Sequence, residues 1–293
     1  MHSYTCKICD VNSSFSLAFL NTILTFFSLS FLFLFYTYTE GQLIPKSVDL
    51  QRTVNRYAHK TSQYEMPNLI LRRGQPFEIH VVLDRNFVPS EDTIVLKFVT
   101  GSRPLQSKGT VVSVQRVQEL KPHQWGYEIT SIEEKKVAMR VSSASDSIVG
   151  RYQLFVDTTH RNPQGEIDKY RYKNPDDVYI LFNPWCRADA VFLEDEDERQ
   201  HHVLSETGRI WLGTVGKFCV RPWNFAQFDD VCLMAALALM DKSELGDQAR
   251  GSPTLVVRAL CRAVSKNNLL ALFLLMQTPH CKLKSFYAKS VDI

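Results

Sequence analysis

The most reactive side chains in this 293-residue sequence are its cysteines, which can act as nucleophiles, metal ligands or disulfide partners. There are seven of them, and they lie far apart (Cys6, Cys9, Cys186, Cys219, Cys232, Cys261 and Cys281). An odd number at wide spacing predicts thiols in a reducing compartment rather than a disulfide framework. The pair Cys6-x-x-Cys9 has no second pair at zinc-finger spacing, so we expect no zinc site there.

A cysteine nucleophile needs a base that activates it, and none of these thiols lies in a motif that supplies one. Cys232 and Cys261 fall on the apolar faces of two predicted helices, which predicts inert, buried thiols. Cys219 lies near two basic residues but near no histidine that could activate it. Cys186 follows a tryptophan, and His280-Cys281 lies near the end of the sequence. We therefore predict no catalytic residue among them.

Two polar runs are possible metal ligands. The residues Glu194–Glu198 are five consecutive acids, and calcium prefers carboxylate oxygens. Consecutive acids lack the alternating spacing of a ligand loop, however, and they suit the first turn of a helix. His201 and His202 have no third ligand nearby. Three glycines are predicted to lie in a loop without forming a phosphate-binding fingerprint (Gly208, Gly213 and Gly216). The residues alone therefore predict no metal or cofactor site.

The composition is that of a globular protein. The sequence is 45% apolar and 22% charged, with a net charge of +3. No basic stripe with interleaved aromatic residues appears, so nucleic-acid binding is set aside. The length fits one large or two ordinary domains.

An apolar segment near the start lies outside this globular pattern. Phe15–Tyr36 is long enough to cross a bilayer, which takes about 20 apolar residues. It could be a signal-anchor, a cleaved signal peptide or an atypical first exon, and its flanking charges do not decide between them. Residues 1–46 are therefore treated as a separate segment. Localisation stays open: cytoplasmic by the thiols, membrane or secreted if the segment is an anchor or a signal.

Ser47–Asn183 shows the pattern of a β-sandwich. Apolar residues alternate along its predicted strands, as in Phe77, Ile79 and Val81 and in Ile94, Leu96 and Phe98. About seven such strands, separated by turn residues, predict an immunoglobulin-like sandwich. His160–Lys173 is polar and is predicted to be an exposed hairpin or loop, and Val178–Phe182 is the last predicted strand.

From Pro184 onward the pattern is predicted to be mainly helical. A helix is expected over Phe228–Met240, with one buried face (Phe228, Val231, Cys232, Ala235 and Leu239). Ser252 and Pro253 are predicted to cap and begin a second helix. The buried stripe of that helix is expected at Leu255, Val256, Ala259, Leu260 and Ala263. The run Leu269–Met276 is apolar and too short to span a bilayer, so it needs a covering layer.

Several motifs resemble the eukaryotic transglutaminases, in order, from about Ser47 to Val264. They are LRRGQPF (Leu71–Phe77), IVGRY (Ile148–Tyr152), LFNPWC (Leu181–Cys186), DAVFL (Asp189–Leu193), TGRIWLG (Thr207–Gly213) and PWNFAQF (Pro222–Phe228). Ala226 stands where the family usually has glycine. Single residues that match include Asn55, His59, Thr61 and Tyr64.

The resemblance implies an amino-terminal β-sandwich, a papain-like α/β core and two carboxy-terminal β-barrels. It also implies calcium-dependent acyl transfer between protein substrates. A cysteine thiolate attacks a glutamine carboxamide, ammonia leaves, and a lysine amine resolves the thioester into an isopeptide bond. The family performs this reaction with a Cys-His-Asp triad.

The sequence departs from the family after Val264. The Tyr-Gly-Gln-Cys-Trp motif that carries the family nucleophile is missing, and only Asn267 and Asn268 echo the segment that supplies calcium ligands in some relatives. Lys217 and Phe218 lie one position later than in the nucleotide-sensitive relatives, so nucleotide control is not expected. Catalytic, cofactor and metal residues are accordingly predicted to be absent, and calcium is implied only for full-length members.

The expected domains are residues 1–46, an apolar segment; 47–183, the sandwich; 184–264, the truncated, mainly helical start of the core; and 265–293, a divergent tail. The sequence predicts a family member that is inactive alone. The alternative is a non-catalytic structural or binding module, tethered to a membrane through Phe15–Tyr36.

Overall fold

The computed structural model describes residues 41–121, 124–162, 164–242 and 245–266. From Gln42 on, these residues belong to one compact unit. The apolar segment Phe15–Tyr36 and the tail from residue 267 lie outside the described residues, so the predictions made for them are not tested. Within the described ranges, no helix is long and apolar enough to cross a membrane.

Nine strands precede Asn183 in the described part of the chain. They are β1 (Pro45–Asp49), β2 (Leu69–Arg72), β3 (Phe77–Leu83), β4 (Asp92–Thr100), β5 (Val111–Val114), β6 (Gly126–Glu133), β7 (Lys136–Ser142), β8 (Gly150–Arg161) and β9 (Ile167–Leu181). A short helix, α1 (Arg52–Ala58), connects β1 to β2. One sheet has the order β1-β3-β7-β6 and the other the order β2-β9-β8-β4-β5.

The two sheets share one apolar core. Strand β4 buries every second residue, so that Ile94, Leu96 and Phe98 point inward and the residues between them point outward. Side chains from β3 and β7 in the first sheet and from β4, β8 and β9 in the second form a single buried cluster. This alternation is the one that the sequence predicts, because successive side chains of a strand point to opposite faces of its sheet.

Strand β9 differs from the sequence prediction in length. It begins at Ile167 rather than Val178, and it pairs with β8 in a long hairpin. His160, expected on an exposed hairpin or loop, is buried beside Asp92 at 2.9 Å, although the residues after it are exposed. The polar composition of this stretch conceals the strand, since one face of a hairpin can remain in water.

The pairing of β2 with β9 is parallel, with Leu69 opposite Val178, whereas the other ladders between the described strands are antiparallel. It brings the end of β2 next to the end of β9. The residues that follow these two strands therefore lie side by side.

In the described residues after Asn183 helix exceeds strand, but a β-hairpin that the sequence does not predict lies between the helices. This part contains α2 (Glu196–Arg199), a π-helical stretch (Gln200–Leu204), a hairpin of β10 (Thr207–Thr214) and β11 (Lys217–Asn224), α3 (Asp230–Lys242) and α4 (Pro253–Lys266). Gly208 and Gly213 lie in β10 rather than in a loop. Gly216 lies in the two-residue turn with φ +94°. Trp211 opposite Val220 shows why the strands form, since aromatic and β-branched pairs stabilise antiparallel ladders.

Helix α3 packs on the sandwich through a different face from the predicted one. Leu233 is buried against Ile70 and Tyr179, and Leu237 and Met240 continue the same stripe. These positions are four and three residues apart, as helical spacing requires. Cys232 is exposed, so the predicted buried thiol is wrong.

Helix α4 begins at Pro253, as predicted, and buries Val256 and Ala259. Leu255, predicted to be buried, is 40% exposed. Cys261 is also exposed, because its position lies off the buried stripe.

Candidate functional site

A buried ion pair lies where the sandwich meets the following segment. The guanidinium of Arg73, directly after β2, donates from Nε and Nη2 to the two carboxylate oxygens of Asp189, each at 2.6 Å. Both side chains are almost fully buried, at 1% and 0% exposure. Two parallel hydrogen bonds fix the orientation of both partners, which is the geometry that arginine favours.

The ion pair connects three separate segments. Arg73 Nη1 also donates to the carbonyls of Ser147, at 2.7 Å, and Gly251, at 2.9 Å. Asp189 accepts from the main-chain N–H of Asn183, and the Asn183 amide donates to the carbonyl of Arg73, each at 2.8 Å. The loop before β8, the segment after β9 and the turn before α4 therefore meet at one guanidinium.

His59 is held beside this junction in a single tautomer. The main-chain N–H of Arg72 donates to Nδ1 at 2.9 Å, so Nδ1 carries no proton. Nε2 then carries the proton and donates to the carbonyl of Pro76 at 3.2 Å. Burial lowers the pKa of His59 from 6.5 to about 4. Because its lone pair is occupied and its pKa is about 4, this imidazole is a weak base near neutral pH.

A cavity of about 430 Å³ adjoins His59 and includes the thiol-bearing residue Cys186 in its wall. Lys60 and Arg72 lie over the ring of Trp185, at 5.8 and 4.9 Å from its centroid. Gly74 has φ +72°, and a Cβ there would lie 2.7 Å from Cys186 Sγ. The thiol therefore fills the space beside a glycine, and the imidazole that lines the same cavity is too weak a base to activate it near neutral pH.

The other described cysteines all lie at exposed positions after Asn183. Cys219 on β11 and Cys261 on α4 are exposed. Partial burial, and then the charge of Asp229, raise the pKa of the Cys232 thiol. A raised pKa lowers the thiolate fraction, which is the reactive form. Cys6, Cys9 and Cys281 lie outside the described residues.

The acidic run begins a helix, as predicted. The Asp195 carboxylate accepts from the N–H of Asp197 at 2.9 Å and so caps α2. Glu196 accepts from Arg199 and, at 3.2 Å, from Trp185 Nε1.

The residues considered as metal ligands do not come together as a site. His201 and His202 are exposed, as expected, and their rings pack edge to face. Within the described ranges, no group of three or more His, Cys, Asp or Glu residues could hold a metal ion. Asn267 and Asn268 lie outside these ranges, so the echo of a calcium-binding segment is not tested.

Sequence reasoning assigned no role to the residues that build the junction. Arg73 and Asp189 both lie in motifs that resemble the family, but they are 116 positions apart. A single sequence holds no signal that pairs one arginine with one aspartate at that distance. In the folded chain, the parallel pairing of β2 with β9 brings the segments that carry these two residues together.

These features define a two-sheet β domain that a buried ion pair joins to a mixed segment of helices and one hairpin. Residues 46–159 match a family model described as Transglutaminase family. This part of the chain belongs to the transglutaminase family.

The relatives of the chain extend this match beyond the sandwich. It is 35% identical over 231 residues to human coagulation factor XIII A chain, covering 74% of this chain and 31% of that protein. It is 35% identical over 232 residues to human protein-glutamine gamma-glutamyltransferase K, covering 78% of this chain and 28% of that protein. It is 36% identical over 236 residues to annulin of Schistocerca americana, covering 75% of this chain and 29% of that protein.

A solved structure agrees with these relatives. The crystal structure of red sea bream transglutaminase superimposes with a TM-score of 0.64 and 27% identity, covering 73% of this chain and 32% of that one. The chain thus spans less than a third of the length of these curated relatives.

Proposed function

We propose that this chain supplies the amino-terminal immunoglobulin-like sandwich (47–183) and the start of the papain-like core (184–264) of a protein-glutamine γ-glutamyltransferase. The complete activity is calcium-dependent acyl transfer from glutamine to lysine side chains of protein substrates. We propose that this polypeptide does not catalyse that reaction on its own. The similarity to human protein-glutamine gamma-glutamyltransferase K supports the assignment of the activity.

The observation that carries the proposed inactivity is the state of His59, which lines the same cavity as Cys186. Acyl transfer through a thiol needs a base that removes its proton. His59 donates from Nε2 and accepts at Nδ1, so both ring nitrogens are in use. The other described thiols are exposed on β11, α3 and α4.

The hairpin supports the assignment of residues 184–264 to an incomplete core. The rings of Trp211 and Phe218 lie 4.9 Å apart between centroids, with their planes inclined by 50°, yet the two residues are 62% and 57% exposed. An isolated two-stranded hairpin is marginally stable in water and normally packs against another layer. Exposed aromatic residues of this kind mark a surface that another layer or protein covers.

The amine-incorporation assay tests this proposal. The purified chain, dimethylcasein and the fluorescent amine monodansylcadaverine are incubated with and without calcium, beside an active transglutaminase as positive control. We expect no incorporation above the blank. Calcium-dependent incorporation would refute the inactivity, and its loss in Cys186→Ala, Cys219→Ala, Cys232→Ala or Cys261→Ala would then identify the nucleophile.

A second candidate function is a non-catalytic structural or binding module. The apolar core shared by the two sheets favours it, because the residues of this cluster all precede Asn183. Membrane fractionation tests the tethered form of this proposal. A protein that a salt wash releases with its amino terminus intact would exclude the tether through Phe15–Tyr36.

A further inference from the structure

One face of the β10–β11 hairpin carries apolar side chains that stay exposed in the described part of the chain. Trp211 lies opposite Val220, and Gly213 lies opposite Phe218 two positions further along, so the side chains of these residues point to the same face. Trp211, Phe218 and Val220 are 62%, 57% and 41% exposed, and together they are called the aromatic patch below. Because a two-stranded hairpin is marginally stable in water, we expect another apolar element to cover this patch.

Helix α4 brings the chain back towards the base of this hairpin. Met240 of α3 and Val256 of α4 belong to one apolar cluster, against which Leu237 and Leu260 also pack. One turn forward along α4 thus corresponds to one turn backward along α3, so the two helices run in opposite directions. They have similar lengths, 13 and 14 residues, and α4 therefore ends towards Asp230, the first residue of α3. Strand β11 ends shortly before that residue.

The residues after α4 are long enough to reach the patch. Val220 lies ten positions before Asp230, and Met276 lies ten positions after Lys266, the last residue of α4. An extended chain covers at most about 3.3–3.6 Å per residue, so each of these two stretches spans up to about 35 Å. A chain that leaves α4 can therefore travel as far as the hairpin does from the start of α3.

The sequence of this stretch has the chemistry that the patch needs. Leu269–Met276 consists of eight apolar residues, LLALFLLM, and lies outside the described residues. It is too short to span a bilayer, so packing on protein is the way to remove it from water. The strands β10 and β11 also have eight residues each. When the run and the patch pack together, both lose apolar surface that water would otherwise contact.

We propose that Leu269–Met276 packs on the aromatic patch of its own chain. The leucine and phenylalanine side chains of the run then cover the rings of Trp211 and Phe218. The contact forms within one chain, because a short connection holds the two partners at a high effective concentration. Val215, in the turn of the hairpin, lies beyond the patch and stays accessible to proteases. This inference does not rest on the acyl-transfer proposal, because it involves no catalytic group.

Photo-crosslinking of the full chain tests the contact. Phe273, in the middle of the run, is replaced by p-benzoylphenylalanine, which inserts into neighbouring C–H bonds under ultraviolet light. The same replacement of Phe286, which lies outside the run, is the matched control. After trypsin digestion, mass spectrometry should find position 273, but not position 286, joined to a peptide that contains Trp211 or Phe218. A product of position 273 on another part of the chain, or no product, would show that the proposal is wrong.

Isotope labelling separates a contact within one chain from a contact between two copies. Labelled and unlabelled chains that carry the crosslinker at position 273 are mixed in urea, refolded together and irradiated. Each crosslinked product should contain only labelled or only unlabelled peptides. Products that join a labelled peptide to an unlabelled one would replace the proposal with a dimer that forms through the hairpin.

Tryptophan fluorescence tests the same contact without a crosslinker. The difference between the emission of the native chain and that of Trp211→Phe isolates the signal of Trp211. In Phe273→Asp this signal should shift to longer wavelength and be quenched more strongly by acrylamide, because a charge in the run uncovers the indole. Phe286→Asp should leave both unchanged. Equal quenching of Trp211 in the native chain and in Phe273→Asp would refute the proposal, and if Phe273→Asp does not fold, the crosslinking result decides.

Discussion

The protonation of His59 predicts a loss of stability in mild acid. The folded protein holds its pKa at about 4, whereas the unfolded chain has the ordinary value of 6.5. Between these values the unfolded state binds more protons than the folded state. The free energy of unfolding therefore falls as the pH falls below about 6.5, and the loss is complete below about 4.

The size of this effect follows from the two pKa values. At pH 5 the difference corresponds to about 2 kcal/mol, and below both values it approaches about 3 kcal/mol. The physical source is structural. Protonation of Nδ1 breaks the bond from the Arg72 N–H and places a buried cation near the Arg72 guanidinium.

Urea unfolding at pH 5, 6, 7 and 8, followed by circular dichroism, measures this effect in the native chain and in His59→Asn. The amide oxygen of asparagine can still accept from Arg72 N–H but does not titrate. We expect a cost of about 1–3 kcal/mol at pH 7, from the lost bond to Pro76. Between pH 7 and 5 the variant should lose about 2 kcal/mol less than the native chain.

The control is His202→Asn, which removes an exposed imidazole. Carboxylates titrate alike in all three proteins, so their contribution cancels in the comparison. If His59→Asn and the native chain show parallel pH profiles, His59 is not a buried neutral group and the reasoning is refuted.

Three further predictions concern the junction. Asp189→Asn should lower the free energy of unfolding in urea by about 3–5 kcal/mol, because it leaves the Arg73 charge buried and unpaired. The double variant Arg73→Met with Asp189→Leu should lose less stability than the sum of its two single variants. Gly74→Ala should lower the free energy of unfolding by about 1–3 kcal/mol, because of the positive φ and the contact with Cys186. Adding Cys186→Ala to this variant should restore part of that loss. Limited proteolysis should cut the exposed hairpin first and leave a resistant fragment that ends near Asn183.

Each of these predictions has a control and a contradicting result. Arg187 and Glu194 form an exposed pair at 3.9 Å, so Glu194→Gln should change stability by less than about 1 kcal/mol. An Asp189→Asn variant no less stable than that control would contradict the ion-pair argument. If the losses of stability in Gly74→Ala and Cys186→Ala simply add in the double variant, the two residues are not in steric contact. If the sandwich and the segment after Asn183 resist the protease equally, the proteolysis prediction is wrong.

The sandwich is predictable from sequence because alternation has a direct physical cause. Ile94, Leu96 and Phe98 mark the inner face of β4 without any knowledge of its neighbours. Strand β1 is less visible, because Val48 is its one half-buried apolar residue. The polar first half of β9 also escapes the pattern, since only its pairing with β8 makes it a strand.

Prediction from the sequence fails where tertiary contacts determine which residues of an element are buried. The stripe of α3 depends on where the helix meets Ile70 and Tyr179, so Leu233 is buried instead of Cys232. The hairpin of β10 and β11 is exposed on both faces and lacks the burial contrast that identifies a strand. The roles of Arg73 and His59 depend on neighbours that are distant or defined only by the folded backbone.

The parallel pair of β2 with β9 also has a consequence for biosynthesis. Asn68 and Asp177, next to this pair, are hydrogen-bonded at a separation of 109 positions. At translation rates of about 5–20 residues per second, strand β9 is synthesised roughly 5–20 s after β2. Its four residues are all buried in the finished fold, so the nascent chain exposes them throughout this interval. Slower translation between the two strands should therefore increase aggregation of the nascent chain.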